Sequence, residues 1–323
     1  MTTKHGDSRG DSRLVADIGG TNARFAWAAE GRPGDAVALV VADHDAFEAA
    51  LDAALARLPE ALGAFDLAIA AAGPVQDGRV QLTNAPWCID TAVLARRPDV
   101  RRATVVNDFE AIAMALPLLA AGDVAPLDAV ARAAAAALPM IVLGPGTGLG
   151  VALSVPDRRG GWIPVATEAG HAELGGSLPA RHGIASPIRR LVGGFVAAED
   201  ILCGDGLVRL HEALAGPGIA APAEVVAAAR QGVDSARTAV RIFVEILGAF
   251  AGDAVLHTGA FGGVYLYGGV KRAIAEAGLF DAAAFRTAFV DKKDHRDLMA
   301  GVPVARITNP EPALLGLAGG AAT

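Results

Sequence analysis

The chain has 323 residues, of which 53% are hydrophobic and only 5% aromatic, and its formal net charge is -7. That length holds two domains with a substantial core in each, and the abundance of Ala and Gly implies helices packed through small side chains. The acidic balance, with no stripe of Lys or Arg, excludes a nucleic-acid partner, and two cysteines are too few for a disulfide framework or a cysteine-built metal site.

Cys88 and Cys203 read as two buried, reduced thiols. Residues 1–13 are polar and charged, so a disordered tail is expected there and not a signal peptide. The longest apolar stretch, 133–143, contains Pro139 and is too short to span a bilayer. The expectation is a soluble, cytoplasmic protein without a membrane partner.

In chain order, residues 14–16 read as a buried strand ending at Asp17. Gly19-Gly20-Thr21-Asn22 turns it back into a second strand containing Phe25 and Trp27, which makes a β-hairpin. Residues 46–58 have apolar side chains at helical spacing (Phe47, Leu51, Leu55, Leu58). A short buried strand at 67–70 is broken by Gly73-Pro74. A strand at 80–82 precedes a short helix at 90–97, capped by Asp90 or Thr91. The strand 103–106 delivers Asn107-Asp108 to a helix running through Ile112, Met114 and Leu116.

Residues 140–143 and 151–153 flank a second glycine loop as a second hairpin. From 187 to 255 the text is mostly helical, with breaks at Gly216-Pro217-Gly218 and Gly232. A strand at 264–266 opens through Gly268-Gly269 into a helix at 270–277, followed by a strand at 304–307 and a final helix at 313–317. Alternating strands and helices give an α/β class. The strand, glycine hairpin and second strand occur twice, which suggests two related halves.

The glycine loops carry the chemistry. Backbone N–H groups can approach phosphates closely only where a side chain is missing. Gly19, Gly20, Thr21 and Asn22 form one such loop, and Gly146, Thr147 and Gly148 lie in another. Four glycines in seven residues at 144–150 exceed what a hairpin turn requires. No Gly-Lys dipeptide occurs, so a Walker P-loop is excluded, and no stretch fits the dinucleotide fingerprint. Without a loop lysine, the counter-charge falls to amides, hydroxyls and a metal ion, and Asp17 at a strand end suits Mg2+ held through waters. A carboxylate between two phosphate loops suggests phosphoryl transfer.

The segments DIGGTNAR (17–24), TNAPW (83–87), VVNDFEAIAMALP (105–117), GPGTGLGVA (144–152), ATEAGHAE (166–173) and GAFGGVYLYGG (259–269) resemble, in order, the motifs of the bacterial glucokinase family. The resemblance spans nearly the whole chain, and six motifs in order are specific where each alone is weak. It implies a two-domain actin-like ATPase (ribonuclease H-like) fold with a cleft. The expected small domain is 14–118 with 306–323, and the large domain is 119–305. It implies ATP as donor, Mg2+, and glucose or a related hexose as acceptor. It is compatible with a homodimer, although no surface patch for one can be read from the sequence.

Residue by residue, Asn107-Asp108 alone would be an N-cap as readily as a site, and the resemblance makes Asp108 the catalytic base. Glu168, with Gly170 and His171, reads as a turn or as a set of hydroxyl partners. The resemblance places Asn107, Asp108, Glu168, His171 and Glu199 on the hexose, with Asn84 nearby. It places adenosine against Gly268-Gly269, a junction that could otherwise be only a packing contact. Two departures from the family pattern stand out. Ala169 replaces a glycine, so no positive φ is required there. Cys203-Gly204-Asp205-Gly206 replaces Ser-Gly-Pro-Gly, which bears on sugar specificity. The rival readings are a kinase for mannose or fructose, a kinase-like sugar-responsive regulator, and an actin-like filament protein. Regulators of the repressor/open-reading-frame/kinase group carry a DNA-binding helix-turn-helix and a Cys-rich zinc motif, for which this sequence has no counterpart.

Overall fold

Leu14, Val15 and Ala16 are fully buried in β1 (Arg13–Ile18), a strand covered on both faces. The computed structural model describes residues 12–59, 63–82, 85–128, 130, 137–175 and 182–320. It divides into two units, one running to Leu118 and resuming at Pro310, the other Leu119–Asn309.

In the first unit the turn at Gly19 folds β1 back onto β2 (Asn22–Ala29) as an antiparallel pair, with Ile18 opposite Ala23. The far edge of β2 carries β3 (Arg32–Pro33) and β4 (Val37–Val40). On its other side β1 pairs in parallel with β5 (Phe65–Ala71). Two short strands, β6 (Arg79–Gln81) and β7 (Cys88–Asp90), form a separate ribbon. The parallel run ends with β8 (Val100–Asn107) beside β5. Phe25, Phe47, Leu51 and Ile69 close the core on one face. The helices Asp108–Ala115 and Pro312–Gly319 pack on each other, and the second also rests on β1.

The second unit repeats the pattern with β9 (Val124–Pro126), β10 (Met140–Pro145), β11 (Leu149–Pro156), β12 (Trp162–Thr167), β13 (Gly263–Leu266) and β14 (Val304–Ile307). Their order is β12-β11-β10-β13-β14-β9. As in the first unit, a hairpin (β10 and β11) is followed by two parallel neighbours (β13 and β14). The expected helical stretch resolves into Ala185–Val192, Gly204–Ala215, Pro222–Arg230 and the 25-residue Asp234–Thr258. Gly248 and Gly252 let that long helix approach the backbone of helix Ala282–Val290 so closely that a Cβ at either would strike a carbonyl oxygen. Small side chains set this spacing, and Phe243, Leu247, Phe285 and Phe289 fill the core beside it.

Some sequence expectations change. Cys88 is exposed and only Cys203 is buried, because β7 turns the Cys88 side chain outward and Ile89 inward. The helix expected at 90–97 is the single turn Thr91–Leu94, capped by Asp90 Oδ1 accepting from Ala92 N–H at 2.9 Å. The chain leaves the second unit only after Asn309, later than the boundary at 306, because β14 completes that unit's sheet. Among the described residues no helix is long and apolar enough to cross a membrane.

Candidate active site

Parallel pairing brings three strand ends of the first unit level: Ile18 lies opposite Ala71, and Ala71 opposite Asn107. Asp17, the Gly19 turn and Asn107-Asp108 therefore share one sheet edge. Asn107 caps the helix Asp108–Ala115, its Oδ1 accepting from Phe109 N–H at 2.9 Å and Glu110 N–H at 3.4 Å. Its Nδ2 donates to the Gly73 carbonyl at 3.2 Å, which fixes the loop after β5. Asp108 occupies the first helical position and accepts from Phe109 N–H at 3.0 Å.

Both carboxyls of this edge are hard to ionise. Burial pushes Asp17 up to about 6, against the pull of Arg24, its cross-strand partner. Burial, then the negative charge of Asp17, pushes Asp108 up to about 6 as well. Arg24 also lies 3.8 Å from Glu311, so this cation is shared between two carboxylates. Asp17 and Asp108 are the groups that could face a divalent cation. Among the described residues no cluster of three or more His, Cys, Asp or Glu is placed to hold a metal by itself.

The second unit gathers its own edge. Gly146, Thr147 and Gly148 join β10 to β11, and Gly146 N–H donates to the Gly148 carbonyl at 2.8 Å. Gly204 N–H binds the Gly146 carbonyl at 2.9 Å, so the altered Cys203–Gly206 segment props the phosphate-type loop directly. Glu199 Oε2 accepts from Leu149 N–H at 2.7 Å and lies where a Cβ on Gly148 would fall. Glu199 N–H donates to the Gly170 carbonyl at 2.8 Å, tying the same residue to the Glu168–His171 turn. Ala169 opens that 3-10 turn without a positive φ.

Glu168 and His171 stand out from this turn with side chains 74% and 64% exposed, 3.7 Å apart. His171 Nδ1 is 3.9 Å from Glu199 Oε1. The three side chains thus form one open group of acceptors and a donor. Gly268 caps the helix Gly269–Glu276 with φ +114, and a Cβ there would strike the Pro145 carbonyl.

The structure therefore assembles Asp17, Gly19, Gly20, Thr21, Asn22, Asn107 and Asp108 in one unit. It assembles Gly146, Thr147, Gly148, Glu168, His171, Glu199, Gly268 and Gly269 in the other. Asn84 lies outside the described residues, while its neighbour Trp87 is buried and donates to the His44 carbonyl at 2.9 Å. Sequence reasoning passed over Arg24, although its place opposite Asp17 follows from the hairpin register. It also passed over the contacts of Glu199 and Gly204 with the glycine loop, which join residues about fifty positions apart and leave no local signal.

Comparison with known proteins shows the family. The family model described as Glucokinase matches residues 14–323. A glucokinase of Nitrobacter hamburgensis is 38% identical over 312 residues, covering 95% of this chain and 96% of its own. One of Paramagnetospirillum magneticum is 36% identical over 321 residues, covering 95% and 96%. Among solved structures, a glucokinase from an Antarctic psychrotroph superposes with TM-score 0.83 at 26% identity, covering 96% of this chain and 98% of the other. A ROK family glucokinase from Streptomyces griseus, solved with glucose and AMPPNP, shares the fold at TM-score 0.60 and 21% identity, covering 95% and 98%. With its motifs in order and both sheet edges built from them, the chain belongs to the glucokinase family and is a hexose-phosphorylating kinase.

Proposed function

We propose that this enzyme transfers the terminal phosphoryl group of ATP to the 6-hydroxyl of glucose, with Asp108 as general base. The observation that carries the reading is the position of Asp108. It sits at a helix start, level with the ends of three parallel strands and beside a second carboxylate. A carboxyl raised to about 6 remains largely ionised at neutral pH while gaining basicity, which suits proton acceptance. As the hydroxyl oxygen bonds to phosphorus and ADP departs, Asp108 takes the hydroxyl proton. The transition state is loose, so this transfer comes late.

Glucose is held by Asn84, Asn107, Glu168, His171 and Glu199. Phosphates lie against Gly19, Gly20, Thr21 and Asn22 on one side and Gly146, Thr147 and Gly148 on the other, with adenosine at Gly268-Gly269. Mg2+ fits this donor set, because two like charges near each other gain from a cation and Mg2+ needs only one or two carboxylates beside waters and phosphates. Asp17 would hold it, and it would supply charge neutralisation on the transferring group. The two halves, of actin-like type, close a cleft over both substrates. A cytoplasmic location follows from ATP as donor, and a homodimer from the family.

A coupled ADP assay across glucose, mannose and fructose tests the reading, with glucose expected to be preferred. Asp108→Asn is expected to lower kcat about 10²–10⁴-fold while glucose still binds. A near-normal kcat in that variant overturns the assignment of the base.

A further inference from the structure

Lys271 is the third residue of the helix Gly269–Glu276, yet it is only 5% exposed. Lysine is almost never buried without a partner. Its ammonium makes no hydrogen bond or ion pair with any described residue. Burial first, then the positive charges of Arg306 and Arg272, push its pKa down to about 8. Glu276 acts the other way, but it lies 3.9 Å from Arg272 on an exposed face.

Arg306 is a second cation, itself half-buried. It lies on β14 opposite Leu266, the last residue of β13 before Tyr267-Gly268. Its Nε is buried and makes no hydrogen bond. Two cations thus lie near each other where β13 and β14 end, and neither forms an ion pair with a carboxylate among the described residues. A buried unpaired charge is strongly unfavourable. A guanidinium beside an ammonium matches the several acceptor oxygens of a tetrahedral oxyanion.

We propose that Lys271 and Arg306 form a binding site for a phosphate-bearing anion. Gly268-Gly269, the proposed adenosine contact, immediately precedes Lys271, so one source is a phosphate of the nucleotide itself. The other source is free phosphate or a phosphate ester bound independently of the nucleotide. Only the first source rests on the nucleotide assignment made above.

Calorimetric titration of the full chain with inorganic phosphate, adenosine and AMP tests the site. Phosphate is expected to bind the unaltered protein, and Lys271→Met and Arg306→Met are each expected to weaken it by at least roughly tenfold. Arg306→Lys keeps the charge and is expected to retain most of the affinity. Adenosine binding is expected to be the same in all four proteins. Competition between phosphate and AMP supports the site with the nucleotide as source. Undiminished phosphate binding at saturating AMP supports it with a separate anion as source. Absence of phosphate binding, or methionine variants that bind phosphate as tightly as the unaltered protein, overturns it. If adenosine and AMP fail to bind, the nucleotide assignment falls and the phosphate titration alone decides the anion site. Lys271→Met removes an uncompensated charge, so the ligand-free variant is expected to melt above the unaltered protein, and a lower melting temperature overturns the premise.

Discussion

A carboxylate in the first turn of a helix ordinarily gains from the helix dipole, and on that ground Asp108 should ionise easily. Burial and Asp17 outweigh the dipole and raise its pKa from 3.8 to about 6. A folded pKa above the unfolded one means that the folded state binds more protons between those values. Stability therefore falls as pH rises from about 4 to about 6 and stays lowered above. Asp17→Asn and Asp108→Asn are each expected to raise stability at about pH 8 by about 1–3 kcal/mol, with the gain vanishing near pH 4. Urea titrations at both pH values measure this, and a variant less stable at the higher pH would sink it. Turnover is expected to fall as pH drops through about 6, when the proposed base, Asp108, becomes protonated. Glu168 and His171 stand 74% and 64% exposed, so their loss should leave the fold intact. Glu168→Gln and His171→Ala are expected to weaken glucose binding by about 1–3 kcal/mol with the ATP KM unchanged. An unchanged glucose KM beside a collapsed ATP affinity would reassign the turn.

Two glycines separate stability from function at the level of the loops. A Cβ on Gly148 would overlap Glu199 Oε2, the end of a flexible side chain that can swing away. A Cβ on Gly268 would meet the Pro145 carbonyl, and φ +114 is strained for any L side chain. Gly148→Ala is thus expected to release Glu199 from Leu149 N–H and lower kcat/KM with little change in melting temperature. Gly268→Ala is expected to destabilise by about 1–3 kcal/mol. Melting curves alongside kinetics check both, and a reversal of the two effects would refute the placement of Glu199. Such roles were only partly legible in the sequence. Both hairpins declared themselves, because buried runs met at glycine turns. β12 did not, since Pro164 interrupts it and Ile163 and Val165 lie exposed, which hides the strand period. Asn107 and Asp108 could each have been the cap, and only the folded structure assigns that task to Asn107. For Glu199 the family resemblance implied a sugar contact, whereas its hydrogen bond to Leu149 depends on tertiary packing.

At the scale of the molecule, both units use the same device, a hairpin followed by two parallel strands, and each presents its candidate site residues at one sheet edge. The chain passes between them twice, after Leu118 and after Asn309. Asp17 and Asp108 belong to one unit, and Glu168, His171 and the loop around Thr147 to the other. Neither edge holds a complete set for phosphoryl transfer. In the proposed mechanism a productive site exists only when the two edges come together on the substrates. In that mechanism water in an open site would compete with the sugar hydroxyl, and closure would protect ATP from hydrolysis as well as align the reactants. Glucose alone is therefore expected to decrease the radius of gyration in solution scattering and to raise the melting temperature. ATP turnover without sugar is expected to be slow beside glucose phosphorylation in a coupled ADP assay. An unchanged radius together with sugar-independent turnover would remove the closure mechanism and point instead to a filament-type ATPase.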